Sequence, residues 1–380
     1  MSGFGIYVHW PFCAAKCPYC DFNSHVRTSI DESGWIDAIE RELRWTAEQQ
    51  GADRPIVGTV FFGGGTPSMM QGNSVGRTLD TIAKLWRTAN DVEVTLESNP
   101  ASADAVRFAD YRAAGVNRLS LGVQALNDKD LKMLGRLHNV AEAKAALALA
   151  IKNFERVSLD LIYARPDQTA VQWRDELTEA LAFGTDHLSL YQLTIEPATP
   201  FATLYKTGAL KIPDEDRAAE LYELTQELTE AAGRPAYEIS NHAKPGSEAR
   251  HNLLYWRYGA YAGVGPGAHG RLDLHGKRIA TQTERLPERW RETVAQRGHG
   301  LIEQSEVPRE DAAREHLLMN LRLVEGIDLA AYRARWNTAP APEHIAALAQ
   351  HGLVTLRGDK LTATPRGRLL LNSVIVELAP

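Results

Sequence analysis

Within residues 1–195 six short apolar runs are separated by five longer stretches with apolar residues at helical spacing, and this alternation leaves few architectures open. Strands are expected at 5–10, 56–63, 91–98, 117–124, 155–163 and 187–193, with helices over 31–50, 74–88, 103–114, 141–152 and 170–183. Repeated βα units build a parallel sheet with right-handed crossovers and put ligand-binding groups at the carboxyl ends of the strands. Six in succession favour a sheet curled toward a barrel; an open doubly wound sheet is the alternative.

The rhythm changes after Pro200. A charged helix over 213–232 precedes a glycine- and aromatic-rich loop stretch, 244–270, and a helix over 286–296. A boundary is expected near 298–308. Beyond it, helices at 310–324, 329–336 and 342–351 lead into LVTLRGDKLTATPRGRLLLNSVIVEL. That string reads as two strands around the turn Arg357–Gly358–Asp359 and a final helix, the outline of a small winged-helix unit. The expected division is 1–200, 201–300 and 301–380.

Winged helices often hold DNA, but 42 basic against 48 acidic residues give a net charge of −6, the wrong sign for a polyanion partner, so no nucleic acid is expected. Hydrophobic residues at 44% and charged residues at 24% exclude wholesale disorder. No apolar run approaches the ~18 residues of a membrane span, and MSGFGIYVHWPFC has no basic-then-apolar export signal, so the cytoplasm is the expected location.

All three cysteines, Cys13, Cys17 and Cys20, fall within eight positions. An odd, clustered set argues against a disulfide framework and for a metal or reactive site in a reducing compartment. Thiolates are soft ligands for zinc or iron–sulfur iron. On a four-iron cluster, three of them leave one iron open to a small molecule. The competing arrangement is a Cys3His zinc site completed by His9 or His25, although the x3-then-x2 spacing is unusual for zinc knuckles.

Directly after a predicted strand comes FFGGGTPS, residues 61–68, whose glycines permit close backbone approach to a ligand. A phosphate loop is excluded because no GK[ST] and no nearby lysine follows. Glu97, Gln124 and Asp160 each end or sit near the end of a predicted strand, where a barrel aims side chains at its mouth.

YVHWPFCAAKCPYCDF resembles the CxxxCxxC signature of the radical SAM superfamily, with Tyr19 before the third cysteine. The resemblance implies a partial (β/α)6 TIM-like α/β barrel of the radical SAM type with a small C-terminal helical, winged-helix-like domain. It also implies a [4Fe-4S] cluster on Cys13, Cys17 and Cys20, with S-adenosylmethionine (SAM) on the open iron. In this family GGGTP corresponds to the strand that contacts the methionine part, pointing to Gly64, Gly65 and Thr66. Tyr7, Tyr19, Glu97, Gln124, Arg136 and Asp160 match SAM-contacting positions of the oxygen-independent coproporphyrinogen oxidase family.

Within that family the chain is most similar to the HemW-like haem chaperone branch. True oxidases carry a further cysteine where this chain has Phe22, which sets oxidative decarboxylation to protoporphyrinogen IX aside as the alternative. HNLLYW, residues 251–256, matches the HNxxYW motif of the chaperone branch. The resemblance implies haem as cargo, delivery to membrane-bound haem proteins of respiratory chains, a cluster-dependent homodimer, and a place at the inner face of the membrane. Imidazole is a common axial ligand and Tyr255 and Trp256 offer flat apolar surfaces, so His251 is the candidate haem ligand, with His242, His269 and Met133 also available. The glycines of YGAYAGVGPGAHG suit backbone lying against a bound plate, or a lid.

Overall fold

The computed structural model describes residues 3–379. Six strands, β1 (Phe4–Trp10), β2 (Val57–Gly64), β3 (Thr88–Ser98), β4 (Arg118–Gln124), β5 (Arg156–Tyr163) and β6 (His187–Gln192), pair in parallel in chain order. Beyond β6, β7 (Asn241–Ala243) adds antiparallel. At the other edge β8 (Ala260–Val264) runs parallel to β1, and β9 (His269–Leu274), β10 (Lys277–Thr283) and β11 (Leu301–Glu306) continue antiparallel, giving one sheet of eleven strands.

Alternation along the strands decides which way they face. On β1, Phe4, Ile6, Val8 and Trp10 join the main apolar core with Trp35 and Ile36, while Tyr7 points the other way, into a cavity. On β4, Leu119, Leu121 and Val123 join the core and Arg118, Ser120, Gly122 and Gln124 line the cavity. Fully burying each such aliphatic chain is worth about 1.5–3 kcal/mol, and this outer layer under the helices holds the sheet. Neighbouring strands stand about 4.8 Å apart, so six flat strands would spread Tyr7 and the β6 residue Tyr191 over ~24 Å. Both line one cavity, so the sheet is curled into a partial barrel.

Helices Glu32–Gln49, Gly72–Leu85, Ala105–Ala114, Val140–Asn153 and Ala170–Ala182 fill the connections. Asn139 with Glu142, and Thr169 with Gln172, form reciprocal capping boxes that start two of them. The helix expected over 74–88 ends at Leu85, because Thr88 already opens β3. The stretch 244–270, expected as loop, instead contains a helix, Arg250–Trp256, and the strand β8. Short helices at Asp128–Met133 and Pro200–Lys206 lack enough turns to register as a periodicity.

A second apolar core, including Leu317, Leu321, Tyr332, Leu361 and Val374, belongs to the C-terminal segment. There Val354–Arg357 and Lys360–Ala363 form the expected hairpin, joined by Ile327–Asp328. Glu315 ties it to the barrel by accepting from the Tyr258 hydroxyl at 2.8 Å and from Arg271 at 2.9 Å. Among the described residues no helix is long and apolar enough to cross a membrane.

Candidate functional site

The cysteines lie on the loop that follows β1, at the carboxyl end of the barrel. Cys20 N donates to the Cys17 carbonyl at 3.1 Å, turning the loop back on itself. The GGGTP segment grips the start of this loop: Gly65 N donates to the Trp10 carbonyl at 2.7 Å and Thr66 N to that of Phe12 at 2.8 Å. The Thr66 hydroxyl then donates to Cys13 Sγ at 3.3 Å. That contact opposes the burial that pushes the Cys13 thiol up; burial raises Cys20 as well.

The glycines of this loop are required by the protein itself. Gly64 has φ +110°, and a Cβ there would lie 2.6 Å from the His9 ring; at Gly65 it would lie 2.7 Å from the Phe12 carbonyl oxygen. The close approach expected toward a ligand is thus also an approach toward the cysteine loop. Gly64 N donates to Glu97 Oε2 at 3.2 Å, joining the ends of β2 and β3.

Tyr7, Cys13, Cys17, Tyr19, Cys20, Gly64, Gly65, Thr66, Glu97, Gln124, Arg136, Asp160 and His251 all line one cavity of about 680 Å³. Arg136 donates to the Gly122 carbonyl at 2.7 Å and reaches Cys17 Sγ at 3.5 Å. Tyr19 packs toward Phe201, ring centres 6.3 Å apart, and burial pushes its hydroxyl pKa up. Phe22 is 57% exposed on the cavity's rim.

Proton placement fixes which way the Tyr7 hydroxyl donates. His9 Nε2 lies 2.9 Å from the Asn23 carbonyl, which only accepts, so Nε2 carries the proton. Nδ1 therefore accepts from the Tyr7 hydroxyl, also at 2.9 Å, and Tyr7 keeps an oxygen lone pair for the cavity. The same two bonds occupy both nitrogens of His9, which removes it as a zinc ligand in this arrangement. Nor do any three His, Cys, Asp or Glu side chains among the described residues converge as the ligand shell of one ion would.

The cavity holds two buried carboxyl groups, Glu97 and Asp160, and is incompletely satisfied. Burial and the neighbouring Asp160 push the Glu97 carboxyl up to about 8. Burial raises Asp160 too, against hydrogen bonds from Ser189, Ser120 and Ser158. Gln124 has φ +76° at an irregularity between β4 and β5, a backbone strain of about 1–3 kcal/mol of the kind that collects at functional sites. Gln124 Oε1, Arg136 Nε, Ser98 Oγ and Thr95 Oγ1, all from residues that line this cavity, are buried without a hydrogen-bond partner, at a cost of about 1–3 kcal/mol each.

His251 does not sit beside the cysteines. Its helix crosses the amino ends of β1–β3: Arg250 pairs with Asp91 at 3.0 Å, and His251 N donates to Glu93 Oε1 at 3.2 Å. His251 Nδ1 is 2.8 Å from Thr59 Oγ1, Nε2 is 2.8 Å from the Tyr255 hydroxyl, and the ring stacks on Phe61 at 5.2 Å. Both nitrogens are engaged, so an axial bond to iron requires one of these hydrogen bonds to be given up. Trp256 faces the C-terminal segment, with Arg322 over its ring, and Tyr255 meets Tyr261 edge-on, so of HNLLYW it is His251, Asn252 and Tyr255, and not Trp256, that line the floor of the cavity. His242, His269 and Met133 are not among the cavity's lining residues. The glycine segment packs against the cysteine loop: a Cβ at Gly265 would meet the His9 carbonyl oxygen at 2.4 Å.

Sequence reasoning missed the polar floor. Arg118, Ser158, His187, Ser189 and Tyr191 all line the same cavity. Their alternation with Leu119, Leu159, Leu188 and Leu190 was available as a signal, since polar residues on a buried strand must face something polar.

A curled parallel sheet with three thiols at its carboxyl end defines a radical SAM protein. The model of the radical SAM superfamily matches residues 7–180, and that of the HemN C-terminal domain matches residues 307–370. The chain is 37% identical to heme chaperone HemW of Escherichia coli, covering 97% of this chain and 96% of that one. It is also 37% identical to the mitochondrial radical S-adenosyl methionine domain-containing protein 1 of Mus musculus, covering 99% and 87%. It belongs to this HemW-type family of the radical SAM superfamily. The solved coproporphyrinogen III oxidase (HemN) of Escherichia coli shares the fold, with TM-score 0.84 at 23% identity over 100% of this chain and 90% of that one.

Membership implies SAM and a [4Fe-4S] cluster, and the donor set fits them: three cavity-lining thiols for iron, and unpartnered amide, guanidinium and hydroxyl atoms for a zwitterionic nucleoside. The fit does not extend to haem, for which the cavity presents no free imidazole from the HNLLYW segment.

Proposed function

We propose that the protein is a haem chaperone of the HemW type. It holds a [4Fe-4S] cluster on Cys13, Cys17 and Cys20, takes SAM in the cavity, binds haem and passes it to membrane-bound haem proteins of respiratory chains. The observation that carries this is similarity over nearly the whole chain to proteins named heme chaperone, 37% for that of Escherichia coli and 36% for that of Mycobacterium tuberculosis. A cluster-dependent homodimer and a station at the inner face of the membrane belong to the same proposal and rest on the family alone.

A cluster held on Cys13, Cys17 and Cys20 and reduced by an external one-electron donor would supply an open iron for SAM and the electron for reductive cleavage of its sulfonium. The chain's own residues then have separable tasks. Thr66 steadies the Cys13 thiolate by hydrogen bonding. Arg136, with Nε unpartnered, meets the ligand carboxylate. Asp160 receives ribose hydroxyls, and ionised Glu97 balances the ligand's positive charge. His251 serves as haem ligand only after Nε2 leaves Tyr255, a rearrangement of the barrel floor.

Titrating haem into the anaerobically reconstituted protein, with a parallel assay for 5′-deoxyadenosine, tests carrier and radical enzyme together. Stoichiometric haem uptake without porphyrinogen turnover is expected. Conversion of coproporphyrinogen III to protoporphyrinogen IX would instead establish the oxidase.

A further inference from the structure

A row of side chains leads from Asp160 toward the barrel floor. Ser158 Oγ donates to Asp160 Oδ1 at 2.8 Å, His187 Nδ1 lies 2.8 Å from Ser158 Oγ, and His187 Nε2 lies 2.9 Å from the Tyr237 hydroxyl. His187 and Ser158 are each 2% exposed. Counting protons gives the row a direction. A carboxylate only accepts, so the single Ser158 proton is committed to Asp160. Ser158 Oγ then accepts from His187, which places the imidazole proton on Nδ1 and leaves Nε2 to accept from the Tyr237 O–H. Ser120 Oγ donates to the other oxygen, Asp160 Oδ2, at 2.8 Å. With Ser189 also hydrogen-bonded to this carboxylate, donors on both oxygens fix its plane and oppose the burial that pushes its pKa up, and Asp160 lines the cavity.

We propose that His187 is a positioning residue for Asp160: by donating to Ser158 it commits the Ser158 proton to the carboxylate and holds that carboxylate rotated to receive two vicinal hydroxyls of a ligand. The proposal rests on the reading of Asp160 as the ribose contact of SAM, and it gives a task to a buried histidine that touches neither the cysteines nor the cavity mouth. Tyr237 completes the device from the far side, where its oxygen also lies 3.4 Å from Ala249 N and 3.5 Å from Asn252 Nδ2 on the HNLLYW helix.

The test is SAM binding to the reconstituted full-length protein, followed by the change that SAM causes in the electron paramagnetic resonance spectrum of the reduced cluster. His187→Leu should bind SAM up to about tenfold more weakly, the upper end of what one neutral hydrogen bond is worth. His187→Gln can donate its amide to Ser158 and accept from Tyr237 with its carbonyl, and should stay within about twofold of the parent. Ser158→Ala should match the leucine variant, and the double variant should lose little more than either single one, because both break the same row. Should His187→Leu not fold, as judged by circular dichroism, Ser158→Ala and Tyr237→Phe carry the comparison. Parental affinity in the leucine variant, or an equal loss with glutamine, overturns the proposal. A parent whose spectrum does not respond to SAM removes the cofactor reading itself, a result distinguishable from the first because it needs no variant.

Discussion

Glu97 Oε2 accepts the Gly64 amide at 3.2 Å, joining the acidic wall of the cavity to the loop that grips Cys13. With its carboxyl pushed from 4.5 up to about 8, the folded protein keeps a proton that the unfolded chain releases above pH 4.5. Stability of the ligand-free protein should therefore fall as pH rises between those values and level off below them. Glu97→Gln should flatten that slope and add about 1 kcal/mol near neutral pH, allowing for water in the open cavity, while weakening SAM binding. Thermal unfolding across pH 5–8 checks the first part. Calorimetry in two buffers of different ionisation enthalpy checks the second, since the parent should release a proton on binding a cation and the variant should not.

Replacing any one of Cys13, Cys17 and Cys20 by serine should abolish the brown chromophore without unfolding the barrel. The parent, purified without oxygen, should carry about four irons and four sulfides per chain. Full iron content in a Cys17→Ser variant would remove that thiol from the cluster.

The floor of the barrel makes haem ligation by His251 a competition with Tyr255. Tyr255→Phe frees Nε2 and should raise haem affinity if His251 binds iron, whereas His251→Ala should erase the Soret shift. Because His251→Ala also strands the buried Thr59 and Tyr255 hydroxyls, it should cost about 2–4 kcal/mol by urea unfolding. Soret spectra unaltered in both variants would take His251 out of the haem site.

Arg165, 1% exposed, donates to Asp130 at 2.8 Å, to the Ile162 carbonyl at 2.6 Å and to Glu176. Arg165→Leu leaves the buried Glu176 and the half-buried Asp130 without their cation and should destabilise by about 3–5 kcal/mol. Lysine should recover only part of this, because one ammonium cannot replace a forked guanidinium. Urea midpoints of the three proteins check the order.

Much of the barrel was legible from local pattern: the expected strands 5–10, 56–63 and 155–163 became Phe4–Trp10, Val57–Gly64 and Arg156–Tyr163. Buried parallel strands are apolar enough, and their helices long enough, to announce themselves. Strands β8 to β11 were not legible, because Ala260–Val264 is short and rich in small residues and Leu301–Glu306 is largely exposed, so neither carries a strong period.

The chain order of amino acids by itself determined the cysteine loop, the glycine loop that meets it, and the polar residues at the strand ends, since each depends on spacing within a few positions. Only the tertiary structure decided what stands opposite what. Curling of the sheet brought Asp160 and His187 into one row, and placed His251 at the far end of the barrel from Cys13. Those relationships join residues of different strands or helices, and a strand's own pattern records which face is buried but not which neighbour fills the other side.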